Sequence, residues 1–462
     1  MSTGERLAWL LLAAAILTSI VLIPPVVGAA DNGDFSKLVG RFDMASPPDD
    51  EGRFVTLRWV FDERNRYIDT YYSSDLLIRW PLIRTVRDVL GSRAFDLRVA
   101  GVAHAAVFLL AWWLLLAPAA ALGRGRFLLL PVTAVVFCDL MYSSYYNSFH
   151  MDTAAFLFLV LAAVLFVRAA LRPSGAAAVA FLVAAVLLVV SKTQHSLLAI
   201  PLAGLIAWRG PRLWPGRGRT FASAGVVAVF AGAVFLFATT PHGYGRYSLF
   251  STIFYGILPR SPDPAGDLRI LGLDDTYRKY IGVRAYMPEA PLEDPAFQKE
   301  FDGHTNHLGL ARLYVSRPGR AFGMLAGGMD YAGLQRVFEL GNFTRESGAP
   351  ERAHSRRFAV WSDLKRAVFG AHGVRYLAWV FALAAGLVVA VHRDDRFLPA
   401  ALALAVGAGI EMLLGTLADP LEICRHLFAF NALLDVILVS LVAALVARLS
   451  LPRMQPGSTQ SS

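Results

Sequence analysis

Long apolar runs separated by short polar breaks dominate the chain. Ten runs read as membrane-crossing helices, at positions 7–30, 99–122, 127–141, 152–171, 175–191, 196–208, 220–240, 374–391, 397–417 and 426–448. A helix needs about 20 residues to cross a bilayer, which the longer runs supply. The sixth run is short and holds Pro201, a residue that membrane helices accept when neighbours satisfy the freed carbonyl. Gly28-Ala29-Ala30 resembles a cleavage site. The run before it exceeds the apolar core of a signal peptide, so the first run is expected to remain as a span. The pattern predicts an all-α polytopic membrane protein of about ten transmembrane helices.

The breaks fall into two sets. Arg124, Arg126, Arg168, Arg172, Arg209, Arg212, Arg217, Arg219, Arg393, Arg396, Arg448 and Arg453 belong to one set. Basic residues in short loops mark the cytoplasmic side, so both termini are expected there. The other set, 31–98, 139–151, 192–195, 241–373 and 418–425, is then extracytoplasmic. The chain divides into a transmembrane core with its first outer loop (1–240), an outer cap (241–373) and C-terminal transmembrane helices (374–462). Within the first loop, "SDLLIRWPLIRTVRDVL" (74–90) alternates apolar and basic residues at helical spacing. It predicts an amphipathic helix on the outer membrane surface. The cap predicts short helices and loops, and the last eight residues a frayed tail.

Composition agrees with this picture: 56% of residues are hydrophobic, 17% are charged, and mean hydropathy is +0.49. The formal charge of +9 comes almost wholly from arginines spread over loops, which is orientation charge and not a nucleic-acid surface. Two cysteines, Cys138 and Cys424, exclude a disulfide scaffold and most thiolate metal sites. Both fall near the outer face, where adjacent spans would let them pair.

Candidate chemistry collects on the outer face in four groups. "DNGDF" (31–35) places Asp31 and Asp34 just after the first span. The turn 138–152 holds Tyr146, Asn147, His150 and Asp152. Interfacial tyrosines are common in membrane proteins, whereas the Asn, His and Asp are less simply explained. The turn 189–198 holds Lys192, Gln194 and His195, in a chain with only five lysines. A cation so near hydrocarbon either snorkels to the headgroups or waits for an anionic ligand. Glu422, Arg425 and His426 open the last span. An arginine there either pairs with the glutamate or holds a phosphate bidentately. Asp31, Asp34 and Asp152 offer oxygens to a divalent cation, though nothing demands one. "HTNH" (304–307) reads as structural.

These features resemble the integral-membrane glycosyltransferases of the GT-C fold, which use polyprenyl-phosphate sugars. The likeness rests on the acidic motif in the first outer loop, the amphipathic segment after it, the many spans and a late outer-facing Arg425. Bacterial hexosyltransferases of surface-glycan assembly are the nearest match. The resemblance implies an enzyme that moves a hexosyl or pentosyl group from a polyprenyl-phosphate donor to an extracytoplasmic glycan, lipid or protein, by inverting displacement. It implies an acid of the first loop as general base, with Arg425, Lys192 and His426 on the donor phosphate. Tyr146, Asn147, His150, Asp152, Gln194, His195 and Glu422 would then contact substrate. Family members often carry adjacent acids, whereas Asn32 and Gly33 separate the two here, so the base is either Asp34 or Asp31. The rival reading is a transporter or flippase of lipid-linked glycans. Against it, the polar residues cluster at one face and no paired halves are visible.

Overall fold

The computed structural model describes residues 1–46, 52–62, 70–241, 243–336 and 339–450. The expected tail and Arg453 lie outside the described residues. Seven helices are long and apolar enough to cross a membrane: Thr3–Val21, Leu97–Ala120, Asp152–Leu171, Gly218–Thr239, Gly373–Val391, Leu398–Leu417 and Phe428–Leu449. A pair bent by 45°, Gly123–Phe137 with Leu140–Asn147, makes up to eight. The two remaining expected spans are helices of 15 residues, Gly175–Val189 and Ala199–Leu213. The second of these also carries Arg209 and Arg212.

Local chemistry sets the ends. The first helix starts at Ser2, whose Oγ accepts from the Glu5 N–H at 3.1 Å, and it stops before Pro24-Pro25, which lack the donors a helix needs. The expected span 7–30 is therefore too long. Val27–Ala29 is instead a strand, paired antiparallel with Leu340–Phe343. Asp139 marks the bend in the third span. Its carboxylate accepts from Met141 N at 2.8 Å and from Trp361 N at 2.8 Å, so one side chain caps two helix starts.

Asp152–Leu171 and Phe428–Leu449 form the centre, with 72% and 61% of their apolar windows buried against at most 39% for the others. Chain direction puts Asp152, Val189, Leu417 and Phe428 at one end of the bundle. Leu171, Gly175, Leu398 and Arg448 lie at the other.

Above the first of these ends, Met44–Ala45, Arg58–Phe61 and Ala94–Asp96 make a small antiparallel sheet. The expected amphipathic segment is helical over Leu76–Arg84 and continues as a wider turn through Thr85–Val89. Its burial inverts a simple surface helix: Arg79 is inside, while Leu77, Trp80 and Val89 are exposed. The cap packs around its own aromatic cluster of Phe250, Phe254, Phe297 and Phe301. "HTNH" joins two cap helices, with Asn306 Oδ1 accepting from Leu308 N and Gly309 N at 3.0 Å each. Cys138 and Cys424 are both free thiols, so the possible pairing is not made.

Candidate functional site

The acidic loop is shaped by its own side chains. Asp31 Oδ1 accepts from Gly33 N at 2.8 Å and Phe35 N at 3.2 Å. Gly33 has φ +95°, a conformation that costs glycine little. Asn32 Oδ1 accepts from Asp34 N at 3.2 Å. Asp31 thus turns the chain, and Asp34 points at cations. Asp34 lies 2.6 Å from Lys37 Nζ and 2.7 Å from Arg425 Nη1. Burial alone would raise its carboxyl, but Arg425 and Lys37 hold it well below the usual carboxylate range. Phe35 anchors the loop against Trp59, Phe149 and His150.

Arg425 comes from the turn Ile423–His426, just before the last span. Glu422 precedes this turn with φ +52°, a strained conformation for a non-glycine residue. In that conformation its Oε2 meets Arg425 Nε at 2.9 Å and Nη2 at 2.5 Å, while Oε1 accepts from Asn32 Nδ2 at 2.8 Å. Arg425 is thereby shared between Asp34 and Glu422, and Asn32 ties the two loops together.

A second layer lies against the first. Lys192 Nζ reaches Asp152 Oδ1 at 3.0 Å, and both are buried. His195 Nδ1 lies 3.0 Å from Glu411 Oε1, and its Nε2 is 3.8 Å from Asp152 Oδ1. Burial pushes the imidazole down, but Glu411 and Asp152 more than offset this and raise it to about 9. Gln194 Nε2 donates to Glu411 Oε2 at 3.0 Å and to the His426 carbonyl at 2.8 Å. His426 Nε2 sits 3.6 Å from Asp419, whose carboxyl burial raises to about 6. Arg425 lies within electrostatic reach of Asp152, which joins the two layers. His150 stands edge-on between Phe35 and Tyr145, and burial together with Arg425 lowers it to about 4.

The sequence candidates therefore divide. Asp34, Arg425, Glu422, Lys192, Asp152, Gln194, His195, His426 and His150 converge. Asp31 borders them as the loop's architect. Tyr146 and Asn147 turn away. Asn147 Nδ2 donates to the Val21 and Val27 carbonyls at 3.0 Å each, and the Tyr146 carbonyl lies 3.2 Å from His104 Nδ1. Tyr145, which sequence reasoning passed over, faces Asp152 and Arg425. Lys37, Tyr244, Glu411 and Asp419 were also missed. Of these only Lys37 carried a sequence signal, as one of few lysines three residues after Asp34. Its Nζ lies 4.8 Å from the centre of the Tyr244 ring. No three His, Cys, Asp or Glu side chains among the described residues are grouped to hold a metal ion, so Asp31, Asp34 and Asp152 do not form the suggested cation site.

A buried network fixes the turn that delivers His150 and Asp152. Asp75 bonds Arg79 Nε at 2.5 Å and His104 Nε2 at 2.8 Å. Arg79 Nη2 donates to the Ser148 carbonyl at 2.6 Å. The amphipathic helix and the Leu97–Ala120 span thus clamp successive carbonyls of that turn.

The family model described as YfdI N-terminal transmembrane domain matches residues 3–460. No curated protein and no solved structure matches the chain.

Proposed function

The chain belongs to the YfdI N-terminal transmembrane domain family and is a multi-pass membrane protein; from that premise we propose that it is a glycosyltransferase of the GT-C kind, moving a sugar from a polyprenyl-phosphate donor to an extracytoplasmic acceptor. The observation that carries this reading is the Asp34–Arg425 pair, 2.7 Å apart and brought together from opposite ends of the chain. It sets a carboxylate beside a guanidinium able to grip phosphate bidentately.

In the proposed reaction the acceptor hydroxyl gives its proton to Asp34 and its oxygen bonds to the sugar's anomeric carbon. The bond from that carbon to the phosphate oxygen breaks, and the electron pair leaves with the polyprenyl phosphate. Arg425 stabilises the departing charge, with Lys192 behind it. Donor binding draws Arg425 from Asp34 to phosphate. With one cation fewer beside it, Asp34 becomes a better base as the acceptor arrives. The site opens on the extracytoplasmic side, ten segments cross or enter the membrane, and both termini are cytoplasmic.

The test is sugar transfer in membranes from a lipid-linked donor. Asp34→Asn keeps size but removes basicity, and general-base catalysis is worth about 10²–10⁴ in rate. Transfer should fall at least about a hundredfold with little change in donor binding. Loss with Asp31→Asn but not Asp34→Asn moves the base to Asp31. Normal turnover in both sinks the enzyme reading. A second reading, transport or flipping of the lipid-linked glycan, has one observation in its favour. Glu411, His195, Asp152 and Lys192 form a buried ionisable chain, with Glu411 inside a membrane-crossing helix. Substrate movement across vesicles without sugar transfer would select it.

A further inference from the structure

An apolar cavity of about 540 Å³ lies between the helices, apart from the polar cluster. Phe137, Leu198 and Leu433 line it on one side, and it extends to Arg393, Arg396 and Arg448. These arginines stand at the bundle end opposite Asp34. Two lie in the link between Gly373–Val391 and Leu398–Leu417, and Arg448 is in the last turn of Phe428–Ser450. Asp394 holds Arg396 at 2.7 Å. Arg393 Nε meets His392 Nε2 and Arg448 Nη2 meets the Val389 carbonyl, each at 3.1 Å. Neither Arg393 nor Arg448 has a carboxylate partner among the described residues. Arg209, only 4% exposed, lies in electrostatic reach of Arg396 and keeps an Nε with no hydrogen-bond partner among the described residues.

Water does not fill a void with hydrocarbon walls, because it needs polar partners. Lipid chains are the material at hand. We propose that this cavity binds an anionic diacyl phospholipid, with its chains among Phe137, Leu198 and Leu433 and its phosphate against Arg393 and Arg448. Basic pockets between membrane helices select anionic headgroups. A polyprenyl-phosphate donor is the wrong occupant. Its phosphate would sit a whole helix away from Arg425, about 30 Å for 20 residues. The inference stands apart from sugar transfer and holds equally for a transporter.

The experiment uses the purified full chain in phosphatidylcholine nanodiscs doped with either phosphatidylglycerol or a polyprenyl phosphate. After detergent exchange, native mass spectrometry counts the lipid that remains. One phosphatidylglycerol per chain is expected to persist. Arg393→Gln with Arg448→Gln should lower its retention by roughly tenfold or more, from the lost attraction of two basic residues. Ala444→Phe, at a cavity-lining position, should lower retention without touching charge, and decides alone if the arginine variant does not fold. Equal retention of phosphatidylcholine, preference for the polyprenyl phosphate, or full retention in the Ala444→Phe variant overturns the proposal.

Discussion

Each cation of the cluster already has a carboxylate: Lys37 with Asp34, Arg425 with Asp34 and Glu422, Lys192 with Asp152. An anionic ligand must exchange with one of them. Glu422 is the partner with least chemistry to lose, so Glu422→Gln should tighten binding of a polyprenyl phosphate. A competing charged hydrogen bond is worth about 1.5–3 kcal/mol, and a several-fold lower Kd by titration is the expected result. Weaker binding would mean that Glu422 orients Arg425 more than it competes for it. His195 gives a pH signature. Its folded pKa, raised to about 9, lies above the ordinary 6.5. The stability it contributes is therefore complete below about pH 6.5 and lost as pH rises through about 9, on the order of 3 kcal/mol. The melting temperature in detergent should fall between pH 7 and pH 10, and His195→Gln should flatten that fall. Much of this cluster was legible, because charges that interrupt apolar runs are conspicuous. Glu411 was not, since one acid inside an apolar run carries no sign of its partner. Tyr145 and Tyr146 could not be told apart either, because the turn's handedness decides which of them faces the charges.

At the scale of elements, the first span and its neighbour meet through a missing side chain. A Cβ on Gly101 would lie 2.2 Å from Asn147 Oδ1 and 2.7 Å from Val21 Cγ1. Gly101→Ala must push Asn147 off the Val21 and Val27 carbonyls, and overpacking of this kind costs about 1–3 kcal/mol. A lower melting temperature should come with reduced activity, since Asn147 and His150 share one turn. An unchanged melting temperature would mean that the helices separate freely there. The sequence pattern found nearly every helix, yet it overran the first by nine residues, 22–30. Hydropathy sees a strand such as Val27–Ala29 and a helix end as the same apolar run, and only the distant pairing with Leu340–Phe343 separates them.

For the whole molecule, the arrangement rests on arginines gathered at one bundle end and the paired charges at the other. If the positive-inside reading holds, Glu289, an exposed cap residue, faces outward. Glu289→Cys in a Cys424→Ser background should react with a membrane-impermeant thiol reagent in intact cells. Reaction only after permeabilisation would reverse the orientation and move the site to the cytoplasm. The membrane class was plain from apolar content. The depth of the cap and its hold on the first loop were not, because they depend on contacts between segments hundreds of residues apart.

That hold has a consequence for biogenesis. The acidic loop hangs from Val27–Ala29, and Ala30 N bonds the Glu339 carbonyl at 2.8 Å. The partner strand leaves the ribosome roughly 300 residues later, a delay of about 15–60 s at ordinary synthesis rates. Until then nothing seats Asp34, and the Arg425 turn follows later still. A nascent chain holding most of its membrane helices therefore has no assembled site. Competence arrives only near the end of synthesis, and premature termination yields inert chains instead of unregulated ones.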